Sequence, residues 1–295
     1  MYSGSIVAIV TPMAETGEVD YAAWDALLEW HLAEGTDGVV VCGTTGESAT
    51  VTIDEAAELT QRAASRLQGR VPLIAGSGTN DTAASIARTR RLTEAGADAV
   101  LAVTPYYNKP TQEGLYQHFS AIADESSVPV ILYNVPSRTG VDLLPTTAAR
   151  LALHPRIVAL KDATASLARI SELRERCGEE LQILSGDDPT AAEWMLAGAR
   201  GVISVTANVA PRAMHSLATA AISGDAARTR ELDARLQVLH HGLFVESNPI
   251  PAKWVVEQLG LIRGGIRLPL TRLSAQGQIS VREAMRAAGV ECIRC

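Results

Sequence analysis

Lysine is nearly missing from this chain. Of 26 basic residues among 295, only Lys109, Lys161 and Lys253 are lysines. Arginine stays protonated near neutral pH and cannot act as an amine nucleophile, so any amine chemistry has three candidates. Apolar runs are short, and none approaches the ~18 residues that span a bilayer. The opening stretch from Met1 to Val10 has no basic cluster and a single apolar run, Ile6–Val10. It reads as a first strand rather than a secretion signal. Basic blocks are absent too: 33 acidic against 26 basic residues leave a diffuse net charge of −7, which argues against nucleic acid or an anionic membrane as partner. The four cysteines, Cys42, Cys177, Cys292 and Cys295, are scattered and read as reduced thiols of a cytoplasmic protein. Zinc needs about four ligands, and Cys292 and Cys295 have no second pair, so they read as part of a frayed tail. What remains is ample for a large core: 47% of residues are hydrophobic, which excludes a disordered chain, a disulfide miniprotein and a fibre.

Short β-rich runs recur along the chain at Ile6–Val10, Gly38–Cys42, Val71–Ala75, Ala99–Val103, Val128–Tyr133, Ile157–Lys161, Leu181–Ser185 and Gly201–Val205. They are continuous rather than alternating, as strands buried on both faces are, and each gap has room for one helix. Asp20 precedes the stripe Tyr21, Trp24, Leu27, Leu28, Leu32, spaced for one helix face. Thr52 to Glu55 forms a capping box, Asp188-Pro189 reads as a cap followed by proline at the first helical position, and Gly35, Gly69, Gly96, Gly178 and Gly198 stand where helices should stop. Eight such repeats predict a (β/α)8 barrel over residues 1–224. A doubly wound open sheet is the rival, weakened because no G-x-G-x-x-G follows the first strand. From Asp225 onward the strand signals stop. Leu232, Leu236 and Leu239 mark one helix, Pro251 to Leu259 a second, and Ser280 to Glu283 a capping box for a third, after a loop over Arg263–Gln278. Residues 225–295 therefore read as a small helical appendage.

In a barrel of this kind function collects at the carboxyl ends of the strands. Lys161 closes the apolar run Ile157-Val-Ala-Leu-Lys161, where desolvation disfavours an ammonium over a free amine and makes a Schiff-base nucleophile. Position alone equally permits a structural ion pair with Asp162 or Asp187. Lys109 and Lys253 lie in loop and helical contexts and read as solvated. Tyr106, Tyr107 and Tyr133, three of six tyrosines, end strands four and five, where a phenol can carry a proton to or from an imine. Thr44 and Thr45, in the turn Gly43-Thr44-Thr45-Gly46-Glu47-Ser48, can extend such a relay, and the turn's amides can hold a carboxylate. Arg138 can grip a second carboxylate in a bidentate fork. The six histidines avoid every strand end and show no metal-ligand spacing. Gly186-Asp187-Asp188 puts two carboxylates where a barrel would bind phosphate, which counts against pyridoxal phosphate.

These residues together resemble the dihydrodipicolinate synthase family, from Gly4-Ser-Ile-Val-Ala-Ile-Val-Thr-Pro12 to about Val290. The matching stretches include Gly43–Ser48, Val103–Lys109, Tyr133–Gly140, Leu160–Thr164, Ser185–Asp188 and Ile203–Val209. The resemblance implies a class I aldol condensation of pyruvate with L-aspartate 4-semialdehyde and cyclisation to 4-hydroxy-tetrahydrodipicolinate, in diaminopimelate and lysine biosynthesis. Lys161 would form the Schiff base, and Tyr133, Thr44 and Tyr107 the proton relay, with Tyr107 reaching into a neighbouring subunit. Thr45, Gly186 and the backbone at Ile203 would hold pyruvate, and Arg138 the semialdehyde carboxylate. The lysine itself is the electron sink, so neither cofactor nor metal is implied; a homotetramer built as a dimer of dimers is.

The same resemblance implies a lysine-binding effector cavity near Ser48, Ala49, Asn80 and Tyr106. This chain carries Ile53, Ala56 and Ala84 where feedback-regulated members place imidazole or carboxylate partners, so inhibition by lysine should be weak or absent. Two alternatives stand beside this reading. A sister 2-oxo acid lyase of the N-acetylneuraminate lyase type shares Lys161 and Tyr133, but such lyases resemble Gly-Ser-Thr-Gly-Glu in the turn and lack Arg138. A barrel that merely binds a small metabolite would form no covalent adduct with pyruvate.

Overall fold

The computed structural model describes residues 2–291; Cys292 and Cys295 lie outside them. Eight parallel strands close into a barrel in chain order: β1 (Gly4–Ala8), β2 (Gly38–Val41), β3 (Leu73–Gly76), β4 (Ala99–Val103), β5 (Val130–Asn134), β6 (Ile157–Asp162), β7 (Gln182–Ser185) and β8 (Gly201–Ser204). β8 pairs back onto β1, Ile203 opposite Ile6. The predicted runs all become strands, displaced at most two residues at either end. The open-sheet alternative is excluded by that closure.

Both faces of the wall are buried, which is why the runs are continuous rather than alternating. Ile6, Val40, Ile74, Leu101, Ile131, Ala159, Leu184 and Ile203 belong to one cluster drawn from all eight strands, the barrel interior. Their neighbours Val7, Val39, Leu73, Val100, Val130, Leu160, Ile183 and Val202 join the outer core with the helices. Alternation along each strand decides which side a residue joins.

The helices α1 (Tyr21–Ala33), α2 (Ile53–Leu67), α3 (Thr82–Glu94), α4 (Gln112–Asp124), α5 (Pro136–Thr139), α6 (Pro145–Ala152), α7 (Leu167–Cys177), α8 (Asp188–Leu196) and α9 (Pro211–Ile222) fill the gaps. Asp20 caps α1 by accepting the Ala23 N–H at 3.0 Å, and Trp24, Leu27 and Leu28 are buried as the stripe requires. The Thr52–Glu55 capping box is present in both directions. The five glycines read as helix stops all have positive φ. Asp188 departs from expectation. It is the first residue of α8 rather than its cap, and its Oδ2 accepts the N–H groups of Val205 and Thr206 at 2.9 Å. Two amides beyond β8 outcompete the local capping site.

Beyond residue 225 come α10 (Ala226–Gly242), α11 (Ile250–Gln258) and α12 (Ala275–Ala287). α10 packs on α8, α9 and α12. The third helix starts earlier than predicted: Ser274 caps it through the Gly277 N–H at 3.1 Å, so Ser280 lies mid-helix and the preceding loop is shorter. No helix among the described residues is long and apolar enough to cross a membrane.

Candidate active site

Lys161 stands two residues after Ala159 on β6 and so shares its inward face. It is 6% exposed, with Tyr133 opposite it on β5 and Leu184 on β7. Its Nζ lies 4.2 Å from the centroid of the Tyr133 ring, within cation–π range. The ion-pair alternative fails because both carboxylates are engaged elsewhere. Asp162 accepts from Asn134 Nδ2 at 3.0 Å and from the Thr164 N–H at 2.9 Å, with Arg169 Nε 3.7 Å away. Asp187 accepts the Thr190 hydroxyl at 2.7 Å. Among the described residues no carboxylate pairs with Lys161. Gly186 keeps the other flank clear: a Cβ there would lie 3.0 Å from Lys161 Cε and 2.9 Å from Ala163 Cβ. Ile203 is buried in the same interior cluster as Tyr133.

The turn after β2 is tied down from several directions. Thr11 Oγ1 donates to the Gly46 carbonyl at 2.7 Å, and the Ser48 N–H to the Gly43 carbonyl at 3.2 Å. Thr45 is buried, and its Oγ1 accepts Asn248 Nδ2 at 2.9 Å, which leaves the threonine's own proton for another acceptor. Asn248 escaped the sequence reading, which marked a helix only from Pro251 onward. Lys253 corrects that reading outright: it is buried and paired with Glu47, not solvated. Lys109 is exposed as expected. Backbone strain gathers here. Cys42, Glu47, Tyr107, Lys109 and Ala165, all at or just beyond the ends of β2, β4 and β6, have positive φ, a conformation that side-chain-bearing residues hold only when their surroundings impose it. At the same level Gly76 is required, because a Cβ there would strike the Cys42 carbonyl.

A cavity of about 660 Å³ opens beside the mouth. Thr44 and Arg138 line it, together with Ser48, Ala49, Ile53 and Tyr106, so one concave surface joins candidate catalytic and effector residues. Arg138, on α5, is exposed, and its Nη2 reaches the Asn248 carbonyl only at 3.5 Å; among the described residues it has no carboxylate partner. Asn80 does not line the cavity but follows the lining residue Thr79, its carbonyl accepting Asn108 Nδ2 at 2.8 Å. Ala56 is buried in the core and Ala84 exposed on the first turn of α3. Tyr107 is not gathered into the mouth of its own chain: it is 89% exposed.

Among the described residues no three His, Cys, Asp or Glu side chains cluster to hold a metal ion. The histidines sit off the strands, although one returns to a strand end in space: His240 Nδ1 lies 2.8 Å from Thr206 Oγ1, just past β8, and burial lowers its pKa. The Cys42 thiol is pushed up to about 12 by burial and is no nucleophile near neutral pH.

Comparison with known proteins gives a consistent result. The chain is 55% identical over 291 residues to 4-hydroxy-tetrahydrodipicolinate synthase of Azoarcus sp. (strain BH72), covering 99% of this chain and 100% of that protein. Its fold superposes with a TM-score of 0.97 on the chloride-inhibited dihydrodipicolinate synthase of Acinetobacter baumannii complexed with pyruvate, at 49% identity over 99% of this chain and 100% of that one. The enzyme of Cyanidioschyzon merolae with lysine bound gives a TM-score of 0.95 at 37% identity, over 98% and 99% of the two chains. Residues 1–288 match the profile described as the Dihydrodipicolinate synthetase family, and with its barrel and its buried strand-end lysine the chain belongs to that family.

Proposed function

We infer that the protein is an enzyme that condenses pyruvate with L-aspartate 4-semialdehyde to 4-hydroxy-tetrahydrodipicolinate, the first committed step of diaminopimelate and lysine biosynthesis. The observation that carries this reading is Lys161, buried beside Tyr133 at the barrel mouth with no carboxylate among the described residues to hold its charge, in a chain whose full-length relatives bear that enzyme's name. Lys161 Nζ adds to C2 of pyruvate, and the carbinolamine loses water to give a protonated imine. The imine draws electrons from C3, which gives up a proton and becomes the nucleophilic carbon of an enamine. That carbon attacks the aldehyde of the second substrate, whose oxygen takes up a proton. The substrate's amino group then adds to the imine carbon, closes the ring and expels Lys161 as a free amine.

Each remaining residue has a part. The amides of the Thr44–Thr45 turn and the Thr45 hydroxyl receive the pyruvate carboxylate, with Gly186 and the Ile203 backbone bounding the pocket. Tyr133 and Thr44 move the protons, and Tyr107 completes the relay in a neighbouring subunit, a reading its 89% exposure supports. Arg138, exposed and without a carboxylate partner among the described residues, takes that of the semialdehyde. The reading carries with it a cytoplasmic homotetramer in which residues 225–295 form an appendage to the catalytic barrel of 1–224.

The test is intact mass after borohydride reduction with pyruvate, on the native chain and on Lys161→Ala. A pyruvate adduct present in the first and absent from the second supports the reading. Folded native protein without an adduct would leave only a metabolite-binding barrel. Turnover of N-acetylneuraminate with none of the semialdehyde would put the lyase in the synthase's stead.

A further inference from the structure

Lys253 is the second buried amine of this chain, and the reaction proposed above makes no use of it. It lies in α11, 4% exposed, and its Nζ pairs with Glu47, 206 residues away in sequence and equally buried. Burial pushes the lysine below its ordinary pKa while Glu47 pulls it back up. Glu47 sits in the turn that carries Thr44 and Thr45, with φ +58, and its carbonyl accepts the N–H groups of Thr50 and Val51 at 2.9 and 3.0 Å. Its second carboxylate oxygen accepts the Arg267 N–H at 3.2 Å. Five residues before Lys253 in the chain, Asn248 donates to Thr45 Oγ1.

A buried ion pair is a poor device for stability alone, because desolvation offsets much of its attraction and an apolar pair of the same volume often does as well. What such a pair supplies is a directional tie. Here the tie joins the C-terminal helices to a residue held in the left-handed region, in the turn that carries Thr44 and Thr45. Released from it, Glu47 is free to relax toward ordinary φ and to carry Thr45 with it. We propose that Lys253, acting through Glu47, is a positioning residue that locks the Gly43–Ser48 turn for the pyruvate carboxylate, with Asn248 setting the Thr45 hydroxyl in the same clamp. This rests on that turn's role in the proposed reaction.

The test uses the full-length enzyme and three variants: Lys253→Met, Glu47→Gln and the double variant. The measurements are KM for each substrate, kcat per borohydride-trapped site, and Tm. Loss of the tie is expected to raise KM for pyruvate by about tenfold or more, the worth of one charge-assisted hydrogen bond. KM for the semialdehyde should stay within about twofold, below what loss of a hydrogen bond to it would give. The double variant, which leaves no lone buried charge, should recover much of the Tm lost by Lys253→Met and keep the raised pyruvate KM. It also carries the comparison where Lys253→Met alone does not fold. A double variant with native KM for pyruvate would reduce the pair to a structural contact and overturn the proposal. Absence of a Lys161 adduct in the native enzyme would instead refute the site reading, before any variant is compared.

Discussion

Gly186→Ala would intrude directly on the space beside Lys161. The added methyl carbon would lie 2.9 Å from Ala163 Cβ, 3.0 Å from Lys161 Cε and 3.1 Å from Lys161 Cγ. Carbon atoms pack at about 3.5–4.0 Å, so something must yield by roughly half an ångström to an ångström. Ala163 is anchored by its backbone, its N–H bonded to the Asn134 carbonyl at 2.9 Å, whereas the lysine is a flexible chain. Lys161 therefore moves. A misplacement of about 1 Å at a reacting group can cost about 10²-fold in rate, close to 2.7 kcal/mol of barrier. Overpacking costs the fold about 1–3 kcal/mol, a fall of several degrees in Tm at this chain length. Steady-state turnover and the rate of borohydride trapping with pyruvate should both fall by about 10²-fold in the folded variant. Adding Ala163→Gly should restore part of the loss, because it removes the immovable side of the clash. A Gly186→Ala enzyme within about threefold of native in both measurements would mean that the space beside Lys161 does not govern the nucleophile, and the reasoning would fail.

Two further outcomes follow from particular contacts. The Arg267 guanidinium, through its hydrogen bond to Glu55, holds that carboxyl down to about 2. The folded value lies below the unfolded one, so the contribution is present above about pH 4.5 and is lost as pH falls toward 2, with solvent screening holding it to about 1 kcal/mol. Tm against pH should therefore fall more steeply below about pH 5 for the native chain than for Glu55→Gln; parallel curves would contradict it. Lysine should inhibit weakly or not at all, since Ile53 faces the cavity, Ala84 is a bare methyl on the helix surface and Ala56 is sunk in the core. Losing a charged partner for an ammonium removes about 1–3 kcal/mol of binding. Full inhibition below about 1 mM lysine in a steady-state assay would refute the argument.

Local physics was legible in the sequence. Strand runs, the Asp20 and Thr52 caps and the glycine stops depend on neighbours within a few residues, and they formed as read. The place of Lys161 at the mouth followed from its closing an apolar strand run, and the candidate site from the rule that barrels act at their strand ends. Where two local signals competed, sequence could not choose. Asp188 has the look of a cap but serves two amides beyond β8, and Ser274 rather than Ser280 opens the last helix. Tertiary structure alone decided the state of the lysines. Lys161 lies free because Asp162 and Asp187 turn to other partners, and Lys253 is buried because Glu47 meets it from the far end of the chain. Burial and charge pairing are properties of the closed barrel with its C-terminal helices packed on it. Residues some two hundred positions apart become neighbours only when that barrel closes, and no window along the sequence contains both.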